Sequence, residues 1–259
     1  MSYDERPDGY KGVKYGIMAM TALGVVFLLR VYGGLFGSPP PTTPAEAERQ
    51  LLNDPENGEV FGTLKRTFPA EFDGLTKVLA QGGSASQSNR EIKANGRAYL
   101  VAEMKRHLSA VAQAPHDTLA DYRKAEIQLI RALQSDDVSA CATYFSTGEI
   151  NLPSETSAEK TAMREFQINS WVTEAAGRDN PAGRYVSKPA PQDFASIVSG
   201  AAQRGSSSED VNNLIYGVPM VDQAKCNAGL AMLTGIDALP DTVADNFTAF
   251  MIQSVAAKP

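Results

Sequence analysis

Hydrophobic positions along the chain follow two patterns, and the change between them sets its organisation. Over residues 15–36 the apolar run is unbroken, with Arg30 the single charged side chain in 22 positions (36 − 15 + 1). As a helix that run rises about 33 Å, enough to cross a hydrocarbon core of roughly 30 Å. After Pro44 the apolar residues instead recur every three or four positions, as they do on helices with one buried face. Leu100, Val101, Met104, Leu108 and Val111 form such a stripe in a segment expected to open near Ser88 and stop at Pro115. Asp117 and Thr118 can cap the next helix, whose apolar positions include Leu119, Tyr122, Ile127, Leu129, Ile130 and Leu133. Met163, Phe166 and Trp171 mark another opening near Ser157. Phe194, Ile197 and Val198 follow Pro191, and Val243, Phe247, Phe250 and Met251 follow the cap candidate Asp241. No segment alternates with period two for the length of a strand, residues 184–187 being too short. The expected fold is all-α: one N-terminal transmembrane helix, a Pro-rich linker and a helical-bundle domain over residues 45–259.

Breaks are expected at residues 81–84, 151–154 and 204–208 and across 177–191, where Pro181, Gly183, Pro189 and Pro191 make the strongest internal boundary. Fragments on its two sides resemble each other at an offset of 122, as Pro69-Ala70-Glu71-Phe72 does Pro191-Gln192-Asp193-Phe194. A weak internal duplication is therefore an alternative to a single bundle, although the cysteine neighbourhoods do not superpose under that offset.

Flanking charge orients the apolar run. Arg6, Lys11 and Lys14 precede it, whereas the first basic residue after it is Arg49. The excess of Lys and Arg holds residues 1–14 in the cytoplasm and sends the domain across the membrane. A cleaved signal peptide is the competing reading, but no small-x-small site follows Leu29; Arg30, Val31, Tyr32, Leu35 and Phe36 interrupt the options. The pattern favours a retained anchor. Pro39, Pro40, Pro41 and Pro44 then impose an extended, stiff linker over residues 37–44, which spaces the domain off the headgroups.

Charge narrows the partners. Of 24 basic and 30 acidic residues, four and three precede Gly37, leaving 20 against 27 and a net charge of −7 beyond the anchor. Such a surface repels phosphate backbones, so nucleic acid is excluded as a partner class. The lipid bilayer, through residues 15–36, and a protein of the cell envelope are the partners expected. The only cysteines, Cys141 and Cys226, both fall on the exported side. They could form a disulfide across a loop of 85 residues (226 − 141), or Cys141 could be a buried thiol sharing a helix face with Val138, Tyr144 and Phe145.

Candidate chemistry is sparse. Glu103 and His107 stand four apart on one helix face and could contribute two metal ligands, but two do not close a site and Lys105 and Arg106 adjoin them. The plain expectation is a solvent-facing pair. Ser157-Ala158-Glu159-Lys160 has the Ser-x-x-Lys form without its companion motifs, so Ser157 reads as a helix cap. Glu71, between Phe68 and Phe72, and Glu165, beside Phe166, are the acids in apolar sequence settings, as a glycan-cleaving general acid would be. Phosphate-binding glycine loops, a nucleophile elbow and a zinc-protease motif are missing, and no cofactor is implied.

The expectation is a single-pass protein of the inner (plasma) membrane. Its periplasmic, or otherwise extracytoplasmic, domain binds or scaffolds an envelope complex without catalysis. The alternative is a membrane-tethered glycan hydrolase working through Glu71 or Glu165. A third reading, a receptor holding an apolar small molecule, would use Met220, Met232 and Met251.

Overall fold

The computed structural model describes residues 39–148, 150 and 156–256. The expected tail, the membrane helix and the break at 151–154 lie outside the described residues. No described helix is long and apolar enough to cross a membrane. Eleven α-helices and one short 3-10 turn make up the described chain, with no strand among the described residues. They are α1 Pro44–Leu52, α2 Gly58–Thr67, α3 Pro69–Ser84, α4 Asn89–Val111, α5 His116–Asp136 and α6 Val138–Thr147, then α7 Ser157–Asp179, α8 Pro191–Ser199, α9 Ser208–Tyr216, α10 Asp222–Asp237 and α11 Asp241–Ala256. The all-α reading of the hydrophobic stripes therefore holds.

Local chemistry explains most of the starts. Thr43 with Glu46, Ser88 with Glu91 and Thr156 with Glu159 form reciprocal capping boxes on α1, α4 and α7. Pro44, Pro69 and Pro191 occupy first-turn positions where a missing N–H costs nothing. Three expected boundaries shift. The cap of α7 is Thr156, not Ser157, because its carboxylate partner sits at Glu159. Helix α5 opens at His116, since Pro115 provides the extended residue before it and leaves Asp117 and Thr118 inside the first turn. The break expected at 81–84 does not form: α3 runs on to Ser84. Its glycines stay helical because another part of the chain needs the space. A methyl on Gly83 would lie against the carbonyl of Pro41, and the Ser84 hydroxyl donates to the carbonyl of Thr42 at 2.9 Å.

Two large apolar clusters share α7. Phe61, Leu64, Phe68, Phe72, Leu75 and Leu100 build the first from α2, α3 and α4, joined by Trp171 from α7. Leu129, Ile130, Tyr144, Phe145, Met232 and Phe247 build the second from α5, α6, α10 and α11, joined by Met163 and Phe166 of α7. Cys141 of α6 and Cys226 of α10 are bonded to each other inside it. The expected boundary at 177–191 is helical as far as Asp179 and then becomes a strap over the α4–α5 turn. Ala182 N–H donates to the Gln113 carbonyl at 2.7 Å, and the Gln113 side chain both accepts from and donates to the backbone of Arg184.

One buried carboxyl sits among the apolar residues of the second cluster. Glu126 accepts the Tyr144 hydroxyl at 2.9 Å, and burial pushes its pKa up to about 7 although that hydrogen bond and Arg123 oppose the rise. A carboxyl whose folded pKa exceeds its unfolded value favours the folded state while protonated. Stability is greatest below the unfolded value and falls as pH rises through 7. Glu126→Gln keeps the acceptor for Tyr144 and removes the ionisation. In urea denaturation it should gain about 3 kcal/mol over wild type at pH 8.5 and under about 1 kcal/mol at pH 5. An equal effect at the two pH values would refute this account.

Candidate functional site

Helices α3, α4 and α7 converge on a set of polar side chains beneath Phe68. Glu71 projects from the first turn of α3, held in place by the burial of Phe68 and Phe72 on either side. Glu103 and His107 project from the same face of α4. His107 Nε2 lies 3.0 Å from Glu71 Oε1, and Glu103 takes both carboxylate oxygens to Arg106 Nη1 at 2.8 and 2.7 Å. One ligand-type atom from each of Glu71, Glu103 and His107 falls within 4.8 Å of the other two. Close approach of α7 to α4 completes the wall, since the site of a Cβ on Gly177 is filled by the carbonyl of Ala110. Rings then close over the group: Phe68 packs tilted against His107, ring centroids 5.0 Å apart, and against Trp171 at 5.6 Å.

From α7 a third carboxyl reaches the same region. Glu174 is 2% exposed, and its Oε1 has no hydrogen-bond partner among the described residues. Burial pushes its pKa up to about 9, the negative charge of Glu71 adds to the rise, and Arg178 opposes it. At neutral pH this carboxyl keeps its proton. Arg178 itself lies over the Phe68 ring at 4.5 Å and donates to the Thr67 carbonyl and to Asp179.

Two expectations are corrected here. Glu103 and His107 are not a solvent-facing pair: α3 and α7 cover that face of α4, Glu103 is buried, and the partner of His107 is Glu71 from another helix. Glu165 lacks the apolar surround that would make it a general acid. Its side chain is 48% exposed beside Arg164, because one step along a helix turns it away from the buried Phe166. Glu71, the other acid of that reading, joins the cluster. The carboxyl that does hold its proton, Glu174, is too deeply covered to touch a polymeric substrate. Of the small-molecule reading, Met232 and Met251 are core residues, and the cavity beside Met251 offers about 10 Å³, room for one water at most. Lys160 of the Ser-x-x-Lys sequence pairs with Glu56 at 2.7 Å.

Glu174 was legible in principle. Gln167, Ser170, Trp171, Glu174 and Arg178 recur at helical spacing, so the acid falls on the stripe that Trp171 buries.

No family model, no curated protein and no solved structure matches the chain.

Proposed function

We propose that this chain is a membrane-anchored, extracytoplasmic scaffold or binding protein whose helical domain docks a protein partner close to the bilayer, without catalysis. The observation that carries this reading is the connection between α9 and α10. Tyr216, Val218 and Val221 are 49, 45 and 73% exposed, and they account for three of the five large hydrophobic side chains described as exposed. Apolar side chains gathered on one exposed turn gain hydrophobic free energy when a partner covers them. The net negative surface favours a partner whose docking face is basic around an apolar centre.

Two further features support the placement outside the cytoplasm and near the membrane. The Cys141–Cys226 bond is of a kind that persists in oxidising compartments. Linker residues are fastened to the domain, the Pro39 carbonyl accepting from Gln50 and the Thr42 carbonyl from Ser84. A linker so held would present the domain to its partner in one pose.

The test uses the tagged full chain in detergent extract beside a variant carrying Tyr216→Ser and Val221→Asp. Wild type should recover one partner in stoichiometric amount and the variant, with unchanged helix content, should lose it. Recovery of the chain alone, or equal recovery by both, counts against the reading. Topology is checked separately: alkaline phosphatase fused after residue 259 should be active in a bacterial host, and a cytoplasmic reporter there should be silent.

A further inference from the structure

We propose that Glu71, Glu103 and His107 bind a divalent transition-metal ion of the Zn²⁺ type, with Glu174 as the fourth ligand. The site goes beyond the docking role and does not depend on it. Its first support is geometric. Three ligand-type atoms from two helices already lie within 4.8 Å of one another. Ligands around a tetrahedral ion with bonds of about 2.0–2.2 Å stand roughly 3.4 Å apart, so these three atoms need draw together by only about an ångström. Glu71 and His107, at 3.0 Å, need the least.

The second support is independent. Glu174 sits on α7, 2% exposed, with an oxygen that no donor satisfies among the described residues. Glu174 stands one helical turn before Gly177 and His107 one turn before Ala110, and those two later positions are in contact, which brings the Glu174 side of α7 beside the cluster. A buried acceptor without a partner costs folding free energy. An ion drawn between Glu71 and Glu174 takes the place of the Glu174 proton, which passes to the solvent, and then supplies a counter-charge to both carboxylates.

The donor set selects the class of metal. One imidazole nitrogen with carboxylate oxygens suits Zn²⁺ and its neighbours, whereas Mg²⁺ and Ca²⁺ prefer all-oxygen shells with retained water. Nearby cations do not block the site. Lys105 points to solvent, and Arg106, which holds Glu103 when no ion is bound, is 69% exposed and free to swing out. Arg178 is engaged with Asp179, the Thr67 carbonyl and the face of Phe68. Phe68 and Trp171 wall the site from the core side.

The experiment is Zn²⁺ titration, by calorimetry, of the full chain in detergent after treatment with a chelator. One equivalent should bind with micromolar or tighter affinity, and Mg²⁺ at the same concentrations should give no heat. His107→Ala and Glu71→Gln should each weaken binding at least tenfold, while His116→Ala, which changes the only other histidine, leaves it as in wild type. Arg106→Ala removes a competitor for Glu103 and should tighten binding. Co²⁺ in place of Zn²⁺ should give the visible absorption of a four-coordinate ion in the wild-type chain, a readout that survives should the variants not fold. Absence of saturable Zn²⁺ uptake by wild type, or undiminished uptake by a natively helical His107→Ala chain, overturns the assignment.

Discussion

Replacing Cys141 and Cys226 together by alanine should lower the stability of the domain by about 4–5 kcal/mol and its melting temperature by roughly 10–20 °C. The bond joins positions 85 residues apart, so the unbridged unfolded chain regains the freedom of a long loop, and that gain sets the size of the effect. Little should change in the folded state. Both side chains are fully buried, alanine fits where they stand, and α6 and α10 are held together by more than sulfur. The Phe145 ring occupies the place a side chain on Gly229 would take, so the two helices already meet at close range one turn away from the bond. Denaturant titration of wild type, of the double variant and of each under reductant checks the account. Reductant should bring wild type down to the variant and leave the variant where it was. Two alkylatable thiols in protein taken from an oxidising compartment, or a double variant within about 1 kcal/mol of wild type, would show that the bridge is not part of the native molecule.

Where the physics is local, the sequence carried the fold. The stripe from Leu100 to Val111 and the Ser88 cap define α4 by themselves, because a cap and a period need only neighbours within one or two turns. The extension of α3 through Gly82 and Gly83 was not readable in that way. It depends on Pro41, 42 residues earlier, passing close enough to need a residue without a side chain. The same distinction governs the site. Glu103 and His107 could be put on one face from their spacing alone, but their burial is decided by α7, whose docking no local pattern announces. Glu71 meets His107 across 36 residues, a separation set by how α3 and α4 fold back on each other. Glu165 fails for the converse reason: adjacency to Phe166 in sequence means a turn of about 100° around the helix.

Asp245→Ala is expected to cost about 3–5 kcal/mol, because it takes from the buried Arg123 its nearer, fully covered counter-ion. Asp245 is almost fully buried on α11 and gathers two arginines and a histidine from α5 and the strap. Arg123 Nη1 of α5 donates to it at 2.9 Å, Arg184 Nη2 of the strap at 2.9 Å, and His116 Nδ1 lies 3.1 Å away. Arg123 is itself buried and keeps only Asp237, at 3.3 Å, and the Thr248 hydroxyl, at 3.5 Å, once Asp245 is gone. Solvent cannot compensate a guanidinium held there, whereas Arg184 is nearer the surface and can find water. The two arginines therefore separate the causes. Arg184→Ala should cost less, about 1–2 kcal/mol, chiefly by freeing the strap that its guanidinium ties to the carbonyls of Ala112 and Ala114. Arg123→Ala with Asp245→Ala should be much less than additive, since either change alone already removes their contact. Faster chymotrypsin cleavage at Tyr185, 89% exposed in the strap, should accompany both Arg184→Ala and Asp245→Ala, but not Glu126→Gln, whose carboxyl does not touch the strap. Additive losses in the Arg123–Asp245 cycle would mean that Arg123 does not depend on this carboxylate, and the cost of Asp245→Ala would then have to come from Arg184 and the strap.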